Sequence, residues 1–148
     1  MSYAMQKMAQ QYQNHALETS IPQATPFQLV KILYESGIKH MKVMRFFIER
    51  KQISEKTQEA NRVIGIVYGL KGGLDLEAGG EVAQNLNSLY DYIARRVTEA
   101  SFHNDVAILN EAVELMESLQ EAWLLMPDNY QQLTQQELND MRSQRLAS

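Results

Sequence analysis

The chain has 148 residues, a length that suits one domain with its own hydrophobic core. It lacks cysteine, which excludes disulfide and thiol chemistry, and its scattered lysines and arginines and net charge of −4 argue against a nucleic-acid-binding surface. The first residues lack the basic start and apolar run of a secretion signal, and no apolar run approaches the ~18 residues of a membrane span, so we expect a cytoplasmic protein.

The first 24 residues are rich in glutamine and differ in composition from the rest of the chain. Four side chains at helical spacing would line one face of a weak helix: Met5, Met8, Tyr12 and Ala16. Pro22 and Pro26 then bracket an extended linker, because a proline disfavours helical backbone in the residue before it. We therefore expect an amino-terminal arm, mobile or helical, ahead of the main fold.

The first long amphipathic segment runs from about Pro26 to Arg50. Thr25 is placed to cap it, Pro26 suits the first helical position, and Gln28 completes a capping box. Two apolar stripes follow this helix, which makes a wider apolar face than one bundle seam requires. The first stripe is Phe27, Val30, Tyr34, Gly37, Met41, Met44 and Ile48, and the second is Leu29, Leu33, Val43 and Phe47.

A second helix is predicted from about Ser54 to Leu76. Its seam consists of Ala60, Val63, Val67, Leu70 and Leu74. Gly65, Gly69 and Gly72 recur on another face, although each glycine inside a helix costs about 0.5–1 kcal/mol relative to alanine. This row has two interpretations of equal weight, close helix packing within the domain or a shallow groove that the backbone of a partner approaches.

The third predicted helix runs from about Glu81 to Phe102, after Gly79-Gly80, which either ends the second helix or forms the turn. Its apolar face consists of Val82, Leu86, Leu89, Ile93, Val97 and Ala100. Tyr90 and Tyr92 are two positions apart, so they cannot share one face. We expect Tyr90 to lie nearer the seam and Tyr92 to be more exposed.

The fourth predicted helix, about Asp105 to Met126, is capped by Asn104 and stopped by Pro127. One seam consists of Val106, Leu109, Val113, Met116 and Trp123, and another of Ile108, Ala112, Leu115 and Leu119. Beyond the proline, Thr134 and Glu137 form a capping-box pattern. The polar tail is therefore predicted to be either a short helix that includes Leu138 and Met141 or a mobile segment.

Four helices of about 22 residues, each about 33 Å long, with short connections favour an all-α, antiparallel up-down four-helix bundle. We expect one domain with three parts: an amino-terminal arm and linker over residues 1–24, a bundle core over 25–127 and a short carboxy-terminal extension over 128–148.

The candidate chemistry is sparse. His15, His40 and His103 have no metal-ligand spacing, and the Glu-x-x-His pairs of a di-iron bundle are missing. Neither a phosphate-binding loop nor a Ser/His/Asp set is evident. We therefore expect a protein that is not an enzyme and that needs no metal or cofactor.

Several short motifs follow one another along the chain, and their order and spacing together are specific to one protein family. They are Thr25-Pro26, Leu33-Tyr34-Glu35, Gly79-Gly80-Glu81, Asn85-Leu86, Leu89-Tyr90-Asp91-Tyr92, Arg95 and Ala122-Trp123. Over roughly residues 12 to 125, the chain resembles the flagellin-specific export chaperone family, FliS.

The resemblance implies a cytoplasmic helical bundle that binds the carboxy-terminal helix-forming segment of flagellin. Such a chaperone prevents premature polymerisation and helps to deliver its client to the export gate of the flagellar type III apparatus. It also implies an amino-terminal segment that lies over part of the client surface and moves aside, with Tyr12 as its anchor here. Homodimerisation is left open, and the alternative is a self-associating helical scaffold or regulatory bundle without a flagellin client. The predicted partner-binding residues are Tyr12, Leu33, Tyr34, Leu86, Leu89, Tyr90, Tyr92 and Ile93.

Overall fold

The computed structural model describes residue 5 and residues 24–147 of the chain. Within residues 24–147, four long helices are followed by two shorter ones. They are α1 (Pro26–Glu49), α2 (Ile53–Gly72), α3 (Gly80–His103), α4 (Val106–Leu124), α5 (Asp128–Gln131) and α6 (Gln135–Ala147). No helix in this part of the chain combines the length and hydropathy that crossing a membrane requires.

The predicted start of α1 is confirmed. The Gln28 backbone N–H donates to Thr25 Oγ1 at 3.3 Å, and the Thr25 backbone N–H donates to Gln28 Oε1 at 2.9 Å, which completes the capping box. The same reciprocal arrangement joins Thr134 and Glu137 at the start of α6. Of the two alternatives for the tail, the helix is therefore the one observed, and it is 13 residues long.

The predicted cap of α4 was wrong by one residue. Asp105, rather than Asn104, is the amino-terminal cap, and its carboxylate accepts the backbone N–H groups of Ala107 and Ile108 at 2.9 and 3.2 Å. Asn104 instead ends α3 in the left-handed conformation, with φ of 51°. Asparagine tolerates this backbone better than most residues, which explains why the turn falls there.

The end of α2 was also predicted too late, because the helix stops at Gly72 rather than near Leu76. Asp75 builds the following turn: its carboxylate accepts the Ala78 N–H at 3.0 Å, and its carbonyl accepts the Gly79 N–H at 2.8 Å. Gly80 then has φ of +58°, which a residue with a Cβ rarely adopts. Of the two roles predicted for Gly79-Gly80, the turn is therefore the one observed.

Contacts between the long helices give the predicted antiparallel bundle. The start of α1 meets the end of α4 through Phe27 and Trp123, whereas the end of α1 meets the start of α4 through Arg45 and Asn110. Neighbouring helices α2 and α3 are also antiparallel, because Lys56 near the start of α2 bonds to Asn104 at the end of α3, whereas Lys71 at the end of α2 pairs with Asp91 in the middle of α3. The four helices thus run alternately up and down around one core.

The core between the four helices is built largely from the predicted seams. Fully buried side chains include Met41, Met44, Val63, Val67, Ile93, Val97, Leu109 and Met116. Gly37 lets the helices approach, since a Cβ at this position would lie 2.9 Å from Met116 Cε and 3.3 Å from Ile66 Cγ2. Of the α2 glycines, Gly69 is buried, but a Cβ on Gly65 would meet no atom within 4 Å, so close packing does not account for Gly65.

The predicted face of α3 needs one correction. Val82 is 70% exposed, and its neighbour Ala83 occupies the buried position in the first turn. Leu86 and Leu89 are partly buried against the core, whereas Ile93, Val97 and Ala100 lie within it. Tyr90 is buried and Tyr92 is more exposed, as predicted. The buried face near the start of α3 is thus shifted by one residue from the predicted one, and Tyr90 belongs to this buried face.

Candidate functional site

A cavity of about 990 Å³ opens at one end of the bundle, where α1 begins and where α2 and α4 end. Its walls are mostly apolar, and apart from Met5 they come from four parts of the chain. They include Phe27 and Val30 of α1, Leu74 and Leu76 of the α2–α3 turn, Trp123 and Met126 at the end of α4, and Tyr130, Leu133 and Leu138 of the carboxy-terminal segment. The charged side chains Asp75, Glu77 and Arg142 lie at the same opening.

An aromatic pair forms one wall of this end cavity. The rings of Phe27 and Trp123 stack with centroids 5.5 Å apart and planes 10° from parallel. The Trp123 indole N–H donates to the Phe27 carbonyl oxygen at 3.1 Å, which fixes the ring and satisfies its polar atom. A stacked, hydrogen-bonded wall presents a rigid apolar surface at little cost in side-chain entropy.

One apolar side chain from a distant part of the sequence already occupies the cavity. Met5 lines it and is only 2% exposed. Its Cε lies so close to Gly73 that a Cβ there would be 2.3 Å away. Gly73 therefore leaves the space that the methionine fills, and the cavity accepts a flexible apolar side chain.

A second cavity, of about 270 Å³, continues from the first along α3. The two share Met5, Val30, Gly73, Leu74, Asp75 and Trp123, so they form one branched apolar depression. The inner branch reaches Tyr34 on α1 and Leu86 and Tyr90 on α3. It therefore leads from the open end of the bundle into its interior.

A buried tyrosine pair closes the inner branch. The Tyr34 and Tyr90 hydroxyl groups are 2.5 Å apart, and each side chain is about 3% exposed. Burial raises the pKa of both phenols, and for Tyr90 the neighbouring Tyr34 raises the pKa further. The pair thus remains neutral and hydrogen-bonded, and it joins α1 to α3 across the bundle.

The predicted partner-binding residues fall into three groups in the structure. Leu33 and Ile93 lie in the core, with 1% and 0% exposure, where a docked partner does not reach them. Tyr34, Tyr90 and Leu86 line the inner branch of the cavity.

The remaining three predicted residues lie apart from this cavity or beyond the described chain. Leu89 is partly buried against the core. The Tyr92 hydroxyl donates to the Glu111 carboxylate between α3 and α4, which raises the Tyr92 pKa. Tyr12 lies outside the described residues.

Sequence reasoning assigned Phe27 and Trp123 to bundle seams and missed them as a cavity wall. Each was correctly placed on an apolar stripe, but their stacking joins positions 96 residues apart. Leu74 and Leu76 were missed because they continue the apolar pattern of α2 after the helix has ended. The signal that could have found the turn is the Asp75 and Gly79-Gly80 cluster.

A shallower groove of about 740 Å³ lies along the second half of α1. Its floor is Ile38, Val43, Phe46 and Phe47, and its rim includes Glu35, Lys39 and Lys42. Phe46 is 47% exposed and is covered on one side by the Arg50 guanidinium, 4.4 Å from the ring centroid. The second apolar stripe of α1 therefore continues into a surface groove.

Among the side chains that the structure describes, no three histidine or acidic groups are close enough together to hold a metal ion. What the end cavity offers is apolar area with a charged rim, which suits an amphipathic polypeptide segment.

Comparison with known proteins gives a consistent result. A family model described as "Flagellar protein FliS" matches residues 8–142. The chain is 38% identical over 121 residues to flagellar secretion chaperone FliSB of Pseudomonas aeruginosa, covering 82% of this chain and 95% of that protein. It is 35% identical over 113 residues to flagellar secretion chaperone FliS of Salmonella typhimurium, covering 76% and 84%, and 26% identical over 134 residues to that of Vibrio cholerae, covering 90% and 98%.

Proposed function

The chain belongs to the FliS family, a family of chaperones rather than enzymes, and from that membership we propose that it is a cytoplasmic flagellar secretion chaperone. Its client is the carboxy-terminal helix-forming segment of flagellin, which it keeps from polymerising before export. It then assists delivery of flagellin to the flagellar type III export apparatus.

The observation that carries this proposal is the branched apolar cavity with Met5 inside it. A disordered amphipathic client folds on binding only if it finds apolar surface to cover. The cavity offers such surface. Met5 is buried in it, which supports the proposal that the cavity can hold apolar side chains from a segment outside the bundle. Client side chains would take the place of Met5, and the amino-terminal arm would move aside.

The client contacts divide by burial. Leu86, Tyr34 and Tyr90 are the predicted residues that line the cavity, so they are the ones proposed to meet the client or to form the floor beneath it. Leu33, Leu89 and Ile93 would support that floor from the core side. Tyr92, which does not line the cavity, and Tyr12, which lies outside the described residues, remain predicted contacts.

The three-part organisation is proposed on the same grounds. Among the described residues, every member of the buried core cluster other than Met5 lies between residues 33 and 116, inside the predicted bundle core of 25–127. Residues 1–24 and 128–148 would then modify access to the cavity rather than form the fold.

Calorimetric titration with the last ~50 residues of the cognate flagellin tests this function, since coupled folding and binding should bury 1,000 Å² or more and give a negative heat-capacity change. Saturable one-to-one binding is expected. Leu76→Asp, at a cavity position that is 47% exposed, should weaken binding at least about tenfold by placing a charge against the client. Leu125→Asp, at a position that is 79% exposed and does not line the cavity, is the matched control.

Lack of binding by the full chain and by a variant without residues 1–16 would exclude the proposal. A stable oligomer in sedimentation analysis would then favour the alternative, a self-associating helical scaffold.

A further inference from the structure

The carboxy-terminal segment crosses the opening of the end cavity. Tyr130 of α5, Leu133 of the connection and Leu138 of α6 line the cavity together with Phe27 and Trp123. Yet neither α5 nor α6 has a single buried residue. This segment therefore covers the cavity without belonging to the core.

The segment is fastened on two sides of the opening. On one side, Thr25 Oγ1, at the start of α1, donates to the Gln131 carbonyl oxygen at 3.0 Å. On the other side, the Arg142 guanidinium donates to the Asp75 carboxylate and, at 3.3 Å, to Glu77 Oε2, both in the α2–α3 turn. The ion pair raises the Arg142 pKa, and the hydrogen bond from the Ala78 N–H, together with the ion pair, lowers the Asp75 pKa.

The fastening at Arg142 is weak enough to open. Arg142, Asp75 and Glu77 are 44%, 37% and 73% exposed, and ion pairs between such exposed groups are screened by water and salt. Elements with little buried apolar area open at much lower free energy than the core. The segment can therefore leave the cavity while the four long helices remain folded.

We infer that residues 128–147 form a strap that holds the end cavity closed and must open for a client to enter. The strap acts on the cavity assigned to the client, so this regulatory role rests on the proposed function. Closure by Arg142 competes with the client, and the apparent affinity falls in proportion to the fraction of molecules that are closed.

Opening can be measured without any client, because Trp123 is the only tryptophan of the chain and lies in the wall beneath the strap. Loss of the ion pair in Arg142→Gln should increase the fraction of molecules with an open strap, and acrylamide quenching of the Trp123 fluorescence should rise with it. The increase should be up to about fivefold, the upper range for an exposed ion pair. Gln144→Glu makes the same change in net charge on the same helix and should leave quenching unchanged. Salt should raise quenching in the parent protein but not in Arg142→Gln.

A reversible closure tests the link to binding. Because the chain has no cysteine, Glu77→Cys with Arg142→Cys can be joined by a flexible bis-maleimide that contains a disulfide. Affinity for the ~50-residue flagellin segment should fall at least about tenfold when the cross-link is present and recover after reduction.

The outcomes separate the strap from the function. Equal quenching in Arg142→Gln and Gln144→Glu, or full client affinity in the cross-linked protein, would overturn the strap. Increased quenching with no flagellin binding in any variant would support a strap that opens but exclude flagellin as the client of the cavity. The proposal that the strap controls flagellin binding would then be excluded as well.

Discussion

The two ends of the bundle are built on different principles. At one end, where α1 ends and α4 begins, the buried Lys56 ammonium donates to the Ser101 carbonyl at 2.7 Å and to Asn104 Oδ1 at 2.8 Å. These bonds satisfy polar groups at the last turn of α3. The positive charge of Lys56 also interacts favourably with the negative, carboxy-terminal end of the α3 dipole. At the other end, the helices spread around an apolar cavity that is covered by Met5 and the carboxy-terminal segment.

The difference separates stability from binding. The end with Lys56, here called the closed end, is held by hydrogen bonds between long helices, so it cannot open unless the bundle unfolds. The end with the cavity, here called the open end, is covered by Met5 and the carboxy-terminal segment, which are not part of the four long helices. Its cover is therefore exchangeable. A chaperone needs both properties, a scaffold that survives and a surface that can be exposed on demand. Substitutions at the closed end should change stability alone, and those at the open end should change binding.

Replacing Lys56 tests the closed end with the largest expected effect. Lys56→Met keeps the apolar stem but leaves the Ser101 carbonyl without its charged donor, which should lower the free energy of unfolding by about 2 kcal/mol. Urea unfolding measures this loss. Lys42→Met, on the exposed face of α1, should change stability by less than about 0.5 kcal/mol. Reduced flagellin affinity in a folded Lys56→Met protein would break the separation between the two ends.

Local chemistry made much of the fold predictable. The capping boxes at Thr25 and Thr134 were found because both partners lie within four residues of each other. The boundary between α3 and α4 was misplaced because Asn104 and Asp105 are both good caps, and the left-handed backbone at Asn104 decides between them.

The candidate site was less predictable, because it depends on distances that sequence spacing does not contain. Tyr34 and Tyr90 were singled out from their motifs, but nothing local indicates that their hydroxyl groups meet. The apolar pattern of α2 continues through Leu74 and Leu76 after the helix ends, since both side chains line the cavity and Leu74 also packs against the edge of the core. Apolar periodicity indicates which side chains are shielded from water, but it does not indicate whether the core or a cavity surrounds them.

The tyrosine pair lies between the two ends and should show an intermediate effect. Tyr34→Phe leaves the buried Tyr90 hydroxyl without its partner and should cost about 1 kcal/mol of stability. Tyr34→Phe with Tyr90→Phe removes both polar atoms, so the double variant should be no less stable than the single one. Thermal or urea unfolding of four proteins, the parent, Tyr34→Phe, Tyr90→Phe and the double variant, measures the coupling, and strictly additive losses would show that the hydroxyl groups act separately.

The same pair predicts a loss of stability at alkaline pH. Burial raises the pKa of Tyr34 and of Tyr90 above the ordinary value near 10, so the folded state keeps these protons longer than the unfolded state. Their contribution is therefore complete below about pH 10 and declines as the pH rises above that value. Urea midpoints measured from pH 8 to 11 should fall less in the double phenylalanine variant, and an identical fall would contradict the assignment.

The smallest effect on stability is expected at Gly73, where the open end holds Met5. Gly73 has φ of −84° and ψ of −8°, a backbone that alanine adopts without strain, so Gly73→Ala should change stability by less than about 1 kcal/mol. Its new Cβ would collide with Met5 Cε, the flexible end of a side chain that can withdraw. Because withdrawal empties part of the cavity, acrylamide quenching of Trp123 should rise, while Gly65→Ala, whose Cβ meets nothing, should leave it unchanged. Unchanged quenching in both variants, or a large loss of stability in Gly73→Ala alone, would mean that Met5 cannot withdraw from the cavity and that the open end is no more exchangeable than the closed one.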